Sequence, residues 1–207
     1  MEKIVIIGSP GAGKTTLAKK LSPMLNIKVY HLDRLFWQRD WKRETRDTRI
    51  DILQNLVWEK RWIIEGTYLN SSKLHVKAAD TIIFLDIPPL LCLQRLIKRH
   101  HEYHGCSRRD IPLGSTDKLT LFLMLKVLAF SLRERRTLEK ILREFPPEKV
   151  IRLYSAKEVE GLLVQPELYV HEKRQSAKIP SVLEQSFDIN TCFVFLRGFY
   201  HFLHSLY

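Results

Sequence analysis

The chain has 207 residues, a formal net charge of +11, and a content of 45% hydrophobic and 28% charged residues. This composition excludes a disordered or fibrous protein and fits one folded domain of medium size with room for an appendage. The longest apolar runs are interrupted by Lys126 or Arg197, so no segment qualifies as a membrane span. The positive charge favours polyanionic partners, among which nucleotides, nucleic acids and anionic membrane surfaces all qualify.

The cysteines and the N-terminus bear on the cellular compartment. The three cysteines are widely separated, which fits neither a disulfide scaffold nor the ligand spacing of a zinc site. The sequence begins with a strand pattern, without a charged leader and a cleavage site. We therefore expect reduced thiols in a cytoplasmic protein.

The predicted elements, taken in chain order, alternate between short apolar strands and longer helices. The five predicted strands are Lys3–Ile7, Lys28–His31, Trp62–Glu65, Thr81–Leu85 and Val150–Leu153. The candidate helices are Lys14–Leu25, Thr45–Lys60, Leu90–His101, Leu119–Phe145 and Lys157–Leu163. This alternation predicts an α/β fold with a doubly wound, five-stranded parallel sheet and helices on both faces. The glycine-bearing, charged stretch 102–118 predicts a basic lid between two helices.

A phosphate-binding loop is predicted between the first strand and the first helix. Residues 8–15 match the pattern G-x-x-x-x-G-K-[ST] at every fixed position, and the glycines let backbone N–H groups surround a phosphate. Lys14 is expected to reach the β- and γ-phosphates, and Thr15 to ligate Mg²⁺. The predicted nucleotide-binding residues of the loop are Gly8, Ser9, Pro10, Gly11, Ala12, Gly13, Lys14, Thr15 and Thr16. A glycine-rich turn of purely structural purpose is disfavoured, because the stretch matches the motif and also lies between a predicted strand and a predicted helix.

Four stretches, GSPGAGKTT, HLDRLFW, WIIEGTY and LDIPPLLCLQRLIKR, together resemble the adenylate kinase superfamily. Within it they are most similar to the bacterial topology modulation (FlaR-like) family. The resemblance implies a P-loop NTPase fold and transfer of the γ-phosphoryl group from ATP, with Mg²⁺, to a small acceptor that the sequence does not identify. It covers roughly residues 1–163, and residues 1–165 are predicted to form a kinase-like domain. Residues 166–207 are then a C-terminal extension of unassigned role.

The same resemblance implies roles for residues after the loop. Glu65 falls where adenylate kinases carry the aspartate that holds Mg²⁺ through water, and its extra methylene leaves the metal geometry open. Arg95 and Arg99 match arginines that contact nucleotide phosphates or stack on adenine, and their spacing of four places both on one helix face. The lid would supply a further catalytic arginine, Arg109 or its neighbour Arg108.

Further contacts are expected at the purine and at the acceptor. Ser155 and Ala156, after the last strand, lie where relatives hold the purine ring. Asp33 lies at the carboxyl end of the second strand, where related kinases place an acid that orients or deprotonates the attacking hydroxyl. Its structural alternative is the N-cap of a helix beginning at Arg34. His31, two residues before Asp33, is expected to face the same site. Its alternative role is that of an ordinary strand residue.

Three clusters have both a functional and a structural interpretation. Trp37 and Trp41 are candidates to line an acceptor pocket, whereas aromatic residues of this kind are more often core. The full aromatic set is Trp37, Trp41, Trp58, Trp62 and Phe36. Four residues that could ligate a metal lie close together in the sequence: His100, His101, His104 and Cys106. Their irregular spacing favours a solvated cluster over a metal site. The basic run 133–136 is expected to be a water-exposed helix face, with Arg133 and Arg136 as secondary lid candidates.

A rival function is DNA binding by a regulator of superhelical topology, as the name of the resembled family suggests. The region 91–143 contains twelve bases and five acids, a net +7 that would grip phosphates. A basic lid accounts for the same charge, and the sequence has no helix-turn-helix, zinc or aromatic-platform motif. Nucleic acid is therefore the less favoured partner, and a regulatory NTPase that hydrolyses its nucleotide is a third interpretation. Neither a membrane partner nor an oligomeric state is predicted.

Overall fold

A computed structural model describes residues 1–38, 42–68, 73–102, 124–125, 127, 129–130 and 134–177. Within these residues one sheet contains the strands β1 (Lys3–Gly8), β2 (Val29–His31), β3 (Trp62–Glu65), β4 (Thr81–Leu85) and β5 (Val150–Leu153). The five predicted strands are confirmed, and only β1 and β2 differ from prediction, by one residue at one end. The predicted doubly wound α/β fold is likewise confirmed.

The strand order across the sheet is β2-β3-β1-β4-β5, and all neighbouring pairs are parallel. β1 lies in the centre, where Ile4 is level with Ile63 of β3 on one side and with Thr81 of β4 on the other. The chain runs from β1 to one half of the sheet and later crosses to the other half. The carboxyl end of β1 is therefore a topological switch point, the place where open parallel sheets bind ligands.

Helices cover both faces of the sheet. They are α1 (Lys14–Leu25), α2 (Leu32–Phe36), α3 (Arg46–Trp58), α4 (Leu74–Ala78), α5 (Pro89–Glu102), α6 (Arg135–Leu142), α7 (Ala156–Val164) and α8 (Pro166–Ala177). α1 has its predicted bounds, and α3, α5 and α7 begin or end one or two residues from theirs. Of the long helix predicted over 119–145, the structure describes α6 and a few residues before it. Among the described helices, none combines the length and apolarity needed to cross a membrane.

The core consists of two hydrophobic layers, one on each side of the sheet. Ile4 and Ile6 of β1 face the layer that contains residues of α1, α5, α7 and α8. Val5 and Ile7 face the layer built with α2, α3, α4 and α6. All four β1 side chains are fully buried. A strand covered on both faces requires a continuous apolar run, which explains the sequence KIVII.

The first part of the predicted C-terminal extension, residues 166–177, forms α8 and packs on the sheet. Arg174 donates hydrogen bonds to the carbonyl oxygen of Asp80 at 3.0 Å and to the hydroxyl of Thr81 at 2.9 Å. It also donates to the carbonyl oxygen of Glu148 at 3.0 Å. These contacts hold α8 at the amino end of β4, away from the switch point. Residues 178–207 lie outside the described part of the chain, and the domain boundary at 165 stays a prediction.

Candidate active site

The glycine-rich loop joins the carboxyl end of β1 to α1 at the switch point. Gly8, Gly11 and Gly13 have φ angles of 152°, 79° and 101°, which side chains rarely adopt. A Cβ atom on Gly11 would lie 2.3 Å from the carbonyl oxygen of Cys92 in α5. Gly11 is therefore required both by its backbone angle and by the close packing of the loop on α5.

Lys14, the first residue of α1, folds back over the loop. Its Nζ donates hydrogen bonds to the carbonyl oxygens of Gly8 and Ser9, each at 3.0 Å. The N-terminus of α1 adds partial positive charge at the same place, because its first N–H groups lack partners within the helix. A phosphate group in this loop would meet both the ammonium group and the helix N-terminus.

Glu65, the last residue of β3, brings Thr15 and His31 to one carboxylate oxygen. Its Oε1 accepts a hydrogen bond from the Thr15 hydroxyl at 3.0 Å and lies 2.8 Å from Nδ1 of His31. Glu65 is 2% exposed, and the parallel pairing of β2 with β3 places His31 level with it. The sequence analysis named Thr15 and Glu65 as metal-site residues but did not foresee that His31 contacts Glu65.

The donor types at this point fit Mg²⁺. Mg²⁺ takes oxygen ligands, usually one or two from the protein together with water and nucleotide phosphates. Thr15 and Glu65 present a hydroxyl and a carboxylate within hydrogen-bonding distance of each other. The extra methylene of Glu65, relative to aspartate, therefore does not keep the carboxylate away from the loop hydroxyl.

Thr67 ties the segment after β3 to the start of the loop. Its hydroxyl accepts a hydrogen bond from the Gly8 N–H at 3.0 Å and donates one to the Gly8 carbonyl oxygen at 2.8 Å. Both backbone groups of Gly8 thus have a side-chain partner in the segment that follows the neighbouring strand β3. The sequence analysis did not single out Thr67, and its only signal was the position two residues after Glu65 in the WIIEGTY stretch.

Arg95 in α5 contacts the phosphate loop directly. Its Nη1 donates a hydrogen bond to the carbonyl oxygen of Ala12 at 3.0 Å. Arg99 lies one turn further along α5 and is half-buried. The structure therefore places both arginines on the helix that packs against the loop. Arg108 and Arg109, the lid candidates, lie outside the described residues.

Asp33, the second residue of α2, belongs to a hydrogen-bonded group that follows the carboxyl end of β2. The Tyr68 hydroxyl donates to its Oδ1, and Nε1 of Trp37 donates to the Tyr68 oxygen at 2.7 Å. Burial, and then the negative charge of Asp33, raises the pKa of Tyr68, so the phenol stays protonated and remains a donor. The N-cap alternative for Asp33 is wrong, because α2 begins at Leu32 and its N-cap residue is His31.

The remaining aromatic candidates divide between the core and the surface. Phe36 and Trp62 are fully buried, which confirms their structural interpretation. For Trp58 the core interpretation is wrong, since the residue is 86% exposed. It is the last residue of α3, after the buried positions Leu53 and Leu56 through which that helix packs. Trp41 lies outside the described residues.

The candidate metal group at the end of α5 is described only in part. His100 and His101 lie in the last turn of α5 with their ring centroids 6.2 Å apart, while His104 and Cys106 lie outside the described residues. Cys92, in the same helix, is buried in the core, and burial raises the pKa of its thiol.

Asp86, directly after β4, forms an ion pair that the sequence did not indicate. Arg135 of α6 donates from Nε to Oδ1 at 2.9 Å and from Nη2 to Oδ2 at 2.7 Å. Hydrogen bonding to this carboxylate raises the pKa of Arg135. The prediction of a water-exposed basic face is therefore wrong for Arg135, because the fold places α6 beside the end of β4. Arg136 is exposed as predicted, and Arg133 lies outside the described residues.

Ser155 and Ala156 begin α7 at the same edge of the sheet. Ser155 is the N-cap residue, and its Oγ accepts a hydrogen bond from the N–H of Glu158 at 3.2 Å. The Glu158 side chain in turn accepts from the N–H of Tyr154 at 2.6 Å. These two bonds satisfy backbone N–H groups on both sides of the helix start and so fix where the helix begins. Both residues thus lie at the carboxyl end of the sheet, as their predicted role near the purine requires.

Comparison with known proteins gives matches to P-loop proteins. A family model described as an AAA domain matches residues 4–111, just over half of the chain. The protein YqaC of Bacillus subtilis (strain 168) is 30% identical over 116 residues, which are 55% of this chain and 64% of that protein. A Pyrococcus furiosus protein named "Putative adenylate kinase" is 31% identical over 102 residues, 48% of this chain and 56% of that protein. Each match thus spans less than two thirds of the relative's length.

Solved structures of small-molecule kinases share the fold. Shikimate kinase from Acinetobacter baumannii, in complex with shikimate, has a TM-score of 0.57 at 16% identity and covers 83% of this chain and 94% of its own. Deoxyadenosine kinase from M. mycoides, with dCMP and dCDP bound, has a TM-score of 0.50 at 13% identity and covers 82% and 98%. At such identities the likeness shows the fold, that of a P-loop kinase.

Proposed function

The chain belongs to the AAA domain family, and we propose that it is an ATP-dependent phosphotransferase that acts on a small acceptor. The matched residues include the whole phosphate loop together with Asp33, Glu65 and Arg95. The name of the Pyrococcus relative and the small-molecule kinases that share the fold support this reaction class. The finer membership, in the topology modulation (FlaR-like) family, is part of the proposal.

One observation carries the proposal: contacts through Glu65 link the phosphate loop to the carboxyl end of β2, and Asp33 follows there in the first turn of α2. Thr15 bonds to Glu65, and Glu65 contacts His31 at the end of β2. Asp33 follows His31 by two residues and is held by Tyr68. A carboxylate suited to an acceptor therefore lies at the same edge of the sheet as a loop suited to a triphosphate, as transfer between two bound substrates requires.

The proposed reaction is a displacement at the γ-phosphorus. A lone pair of the acceptor hydroxyl forms the new P–O bond while the bond from the γ-phosphorus to the bridging oxygen breaks, and ADP leaves with that electron pair. Asp33 takes the hydroxyl proton, and its bond from Tyr68 orients the carboxylate for this task. Lys14 and the loop N–H groups offset the negative charge on the β- and γ-phosphates.

Magnesium would be held by the Thr15 hydroxyl and, through water, by Glu65, and it would supply charge neutralisation on the phosphates. His31 would keep the Glu65 carboxylate turned toward Thr15 through the contact at 2.8 Å. His31 is thus a positioning residue in this scheme.

Other residues would surround the nucleotide. Arg95, whose guanidinium donates a hydrogen bond to the loop at Ala12, would contact the migrating phosphoryl group. Arg99, one turn further along α5, would be a second arginine at the same phosphates. Arg109 of the predicted lid is proposed as a third arginine. Ser155 and Ala156 would lie along the purine ring.

The first test measures ATP binding with Mg²⁺ by calorimetry and ADP release with a panel of nucleosides, nucleotides, sugars and hydroxy acids. One acceptor should stimulate ADP release strongly. Lys14→Ala should abolish ATP binding, whereas Lys20→Gln, which removes an exposed charge elsewhere on α1, should not. Absence of any purine triphosphate binding would overturn the proposal.

A second test separates catalysis from binding. Asp33→Asn should lower kcat by about 10²–10⁴-fold while the ATP dissociation constant stays unchanged, because a general base acts on the acceptor and not on the nucleotide. Duplex DNA provides the contrasting arm. Tight, steeply salt-dependent DNA binding that Lys14→Ala leaves intact, without acceptor-stimulated ADP release, would favour the DNA-binding function instead.

A further inference from the structure

The segment that follows β3 reaches both halves of the proposed site. β3 lies between β1 and β2 in the sheet, so its carboxyl end has a neighbouring strand on each side. Thr67 forms hydrogen bonds with both backbone groups of Gly8, at the start of the phosphate loop. Tyr68, the next residue, donates to Asp33 of α2. Two adjacent residues therefore connect the phosphate loop with the carboxylate that is proposed to act on the acceptor.

Asp33 is exposed, which leaves its carboxylate open to an acceptor. An exposed side chain normally samples several rotamers, and holding it in one of them costs entropy. The hydrogen bond from Tyr68 holds Oδ1, whereas Oδ2 has no hydrogen-bond partner among the residues that the structure describes. Oδ2 is therefore the oxygen left to take a proton from the acceptor hydroxyl.

Trp37 determines the direction in which the Tyr68 proton points. A tyrosine hydroxyl has one proton to donate, and its oxygen can also accept. The indole N–H group of Trp37 can only donate, and its Nε1 lies 2.7 Å from the Tyr68 oxygen. The Tyr68 proton is therefore directed away from the indole and toward Asp33. Hydrogen bonds in such a chain polarise one another, which strengthens the bond to the carboxylate.

Packing holds both aromatic rings of this chain in place. The Tyr68 ring meets the buried ring of Phe36 edge-on, with the ring centroids 5.0 Å apart. Trp37 pairs with Arg43 in an antiparallel bridge, and the Arg43 guanidinium lies 5.7 Å from the Trp37 ring centroid. The indole N–H group thus reaches Tyr68 from a segment that is itself held by backbone pairing.

We propose that Trp37 and Tyr68 are positioning residues of the phosphoryl transfer. Tyr68 holds the Asp33 carboxylate so that Oδ2 meets the acceptor hydroxyl, and Trp37 acts through Tyr68 by fixing the direction of its proton. This inference rests on the proposed function, because Asp33 needs an acceptor to act on. It gives Trp37 a role through its N–H group, which differs from the expectation that its ring lines the acceptor pocket.

The chain of hydrogen bonds is tested without turnover, by NMR of the full chain labelled with ¹⁵N. The indole N–H signal of Trp37 is assigned, among those of four tryptophans, as the one missing from Trp37→Phe. Tyr68→Phe removes the acceptor of this group, so the signal should move upfield and exchange faster with solvent. Tyr169→Phe, on α8 at the amino end of the sheet, should leave it unchanged. An unchanged Trp37 signal in Tyr68→Phe would overturn the proposal.

The positioning roles are tested with the acceptor that stimulates ADP release most strongly. Tyr68→Phe should lower kcat by about 10–100-fold, because it removes a hydrogen bond to a charged group. Trp37→Phe should lower kcat by about 3–10-fold, because it removes a hydrogen bond between neutral groups. The KM for ATP should stay unchanged in both variants. The matched controls Tyr169→Phe and Trp58→Phe, the latter at a position that is 86% exposed, should keep the wild-type rate.

The double variant Trp37→Phe/Tyr68→Phe decides whether Trp37 acts through Tyr68. Its kcat should equal that of Tyr68→Phe alone, because the indole then has no hydroxyl left to direct. A residue that lines the acceptor pocket would give a different result. Trp37→Phe would then raise the KM for the acceptor, and its effect would multiply with that of Tyr68→Phe. Either of these results would overturn the positioning role of Trp37.

The outcomes separate this inference from the proposed function. If no acceptor stimulates ADP release, the phosphotransfer reaction falls and the positioning roles fall with it, even where the Trp37 signal shows the hydrogen bond. If an acceptor is phosphorylated but the effects of the two substitutions multiply, the phosphotransfer reaction stands and the role of Trp37 falls.

Discussion

The buried histidine of α4 gives a test of the fold that does not depend on any function. His75 is fully buried, and neither ring nitrogen has a hydrogen-bond partner among the residues that the structure describes. Burial lowers its pKa from 6.5 to about 4, because the charged ring loses its hydration. The ring is therefore neutral in the folded protein at neutral pH.

The sign of the resulting pH effect follows from which state binds the proton. The unfolded chain protonates His75 below about pH 6.5, whereas the folded chain does so only near pH 4. The free energy of unfolding is therefore unaffected by this group above pH 6.5 and falls as the pH drops from 6.5 to 4. At pH 5, which is about 1.5 units below the pKa of 6.5 in the unfolded chain, the free energy of unfolding is lower by about 2 kcal/mol than at neutral pH.

Urea unfolding at pH 8 and at pH 5, followed by circular dichroism, measures this effect. The wild type should lose about 2 kcal/mol more on going to pH 5 than His75→Leu, which has no ionisable group at this position. His171→Leu, at an exposed position of α8, is the matched control and should behave like the wild type. An equal pH dependence in the wild type and His75→Leu would refute the idea that the fold holds this ring neutral.

Three further substitutions test individual contacts of the site. Gly11→Ala should weaken ATP binding by about tenfold or more in calorimetry, because the new Cβ would lie 2.3 Å from a carbonyl oxygen of α5; unchanged affinity would contradict that packing. Thr67→Val should lower the free energy of unfolding by about 1–3 kcal/mol, because it removes both side-chain hydrogen bonds to Gly8, and Thr67→Ser should restore most of it. Arg135→Gln should lower the free energy of unfolding in urea by about 1–3 kcal/mol, because it leaves the Asp86 carboxylate without its ion pair. Arg136→Gln, at an exposed position, should change it by no more than about 0.5 kcal/mol, and equal effects of the two substitutions would contradict the ion pair.

Local sequence pattern was enough to predict the strands, α1 and the phosphate loop. The run KIVII is apolar throughout because β1 is buried on both faces, and this requirement can be read without knowing any neighbour. α1 has its predicted bounds because Leu17 and Leu21 are spaced for one helix face. All the residues of the phosphate loop lie within eight positions of one another, so a short stretch of sequence is enough to predict this site as well.

Contacts between distant segments required the tertiary structure. Glu65 lies 50 residues from Thr15 and 34 from His31, and the three meet only because β3 lies between β1 and β2 in the sheet. Periodicity indicates that each residue stands at a strand end, but it does not say which strand ends are neighbours. The pairing of Asp86 with Arg135 likewise depends on how α6 packs beside the end of β4. Strand order and helix packing are fixed by burial of the whole apolar surface at once, a property that no short stretch of sequence contains.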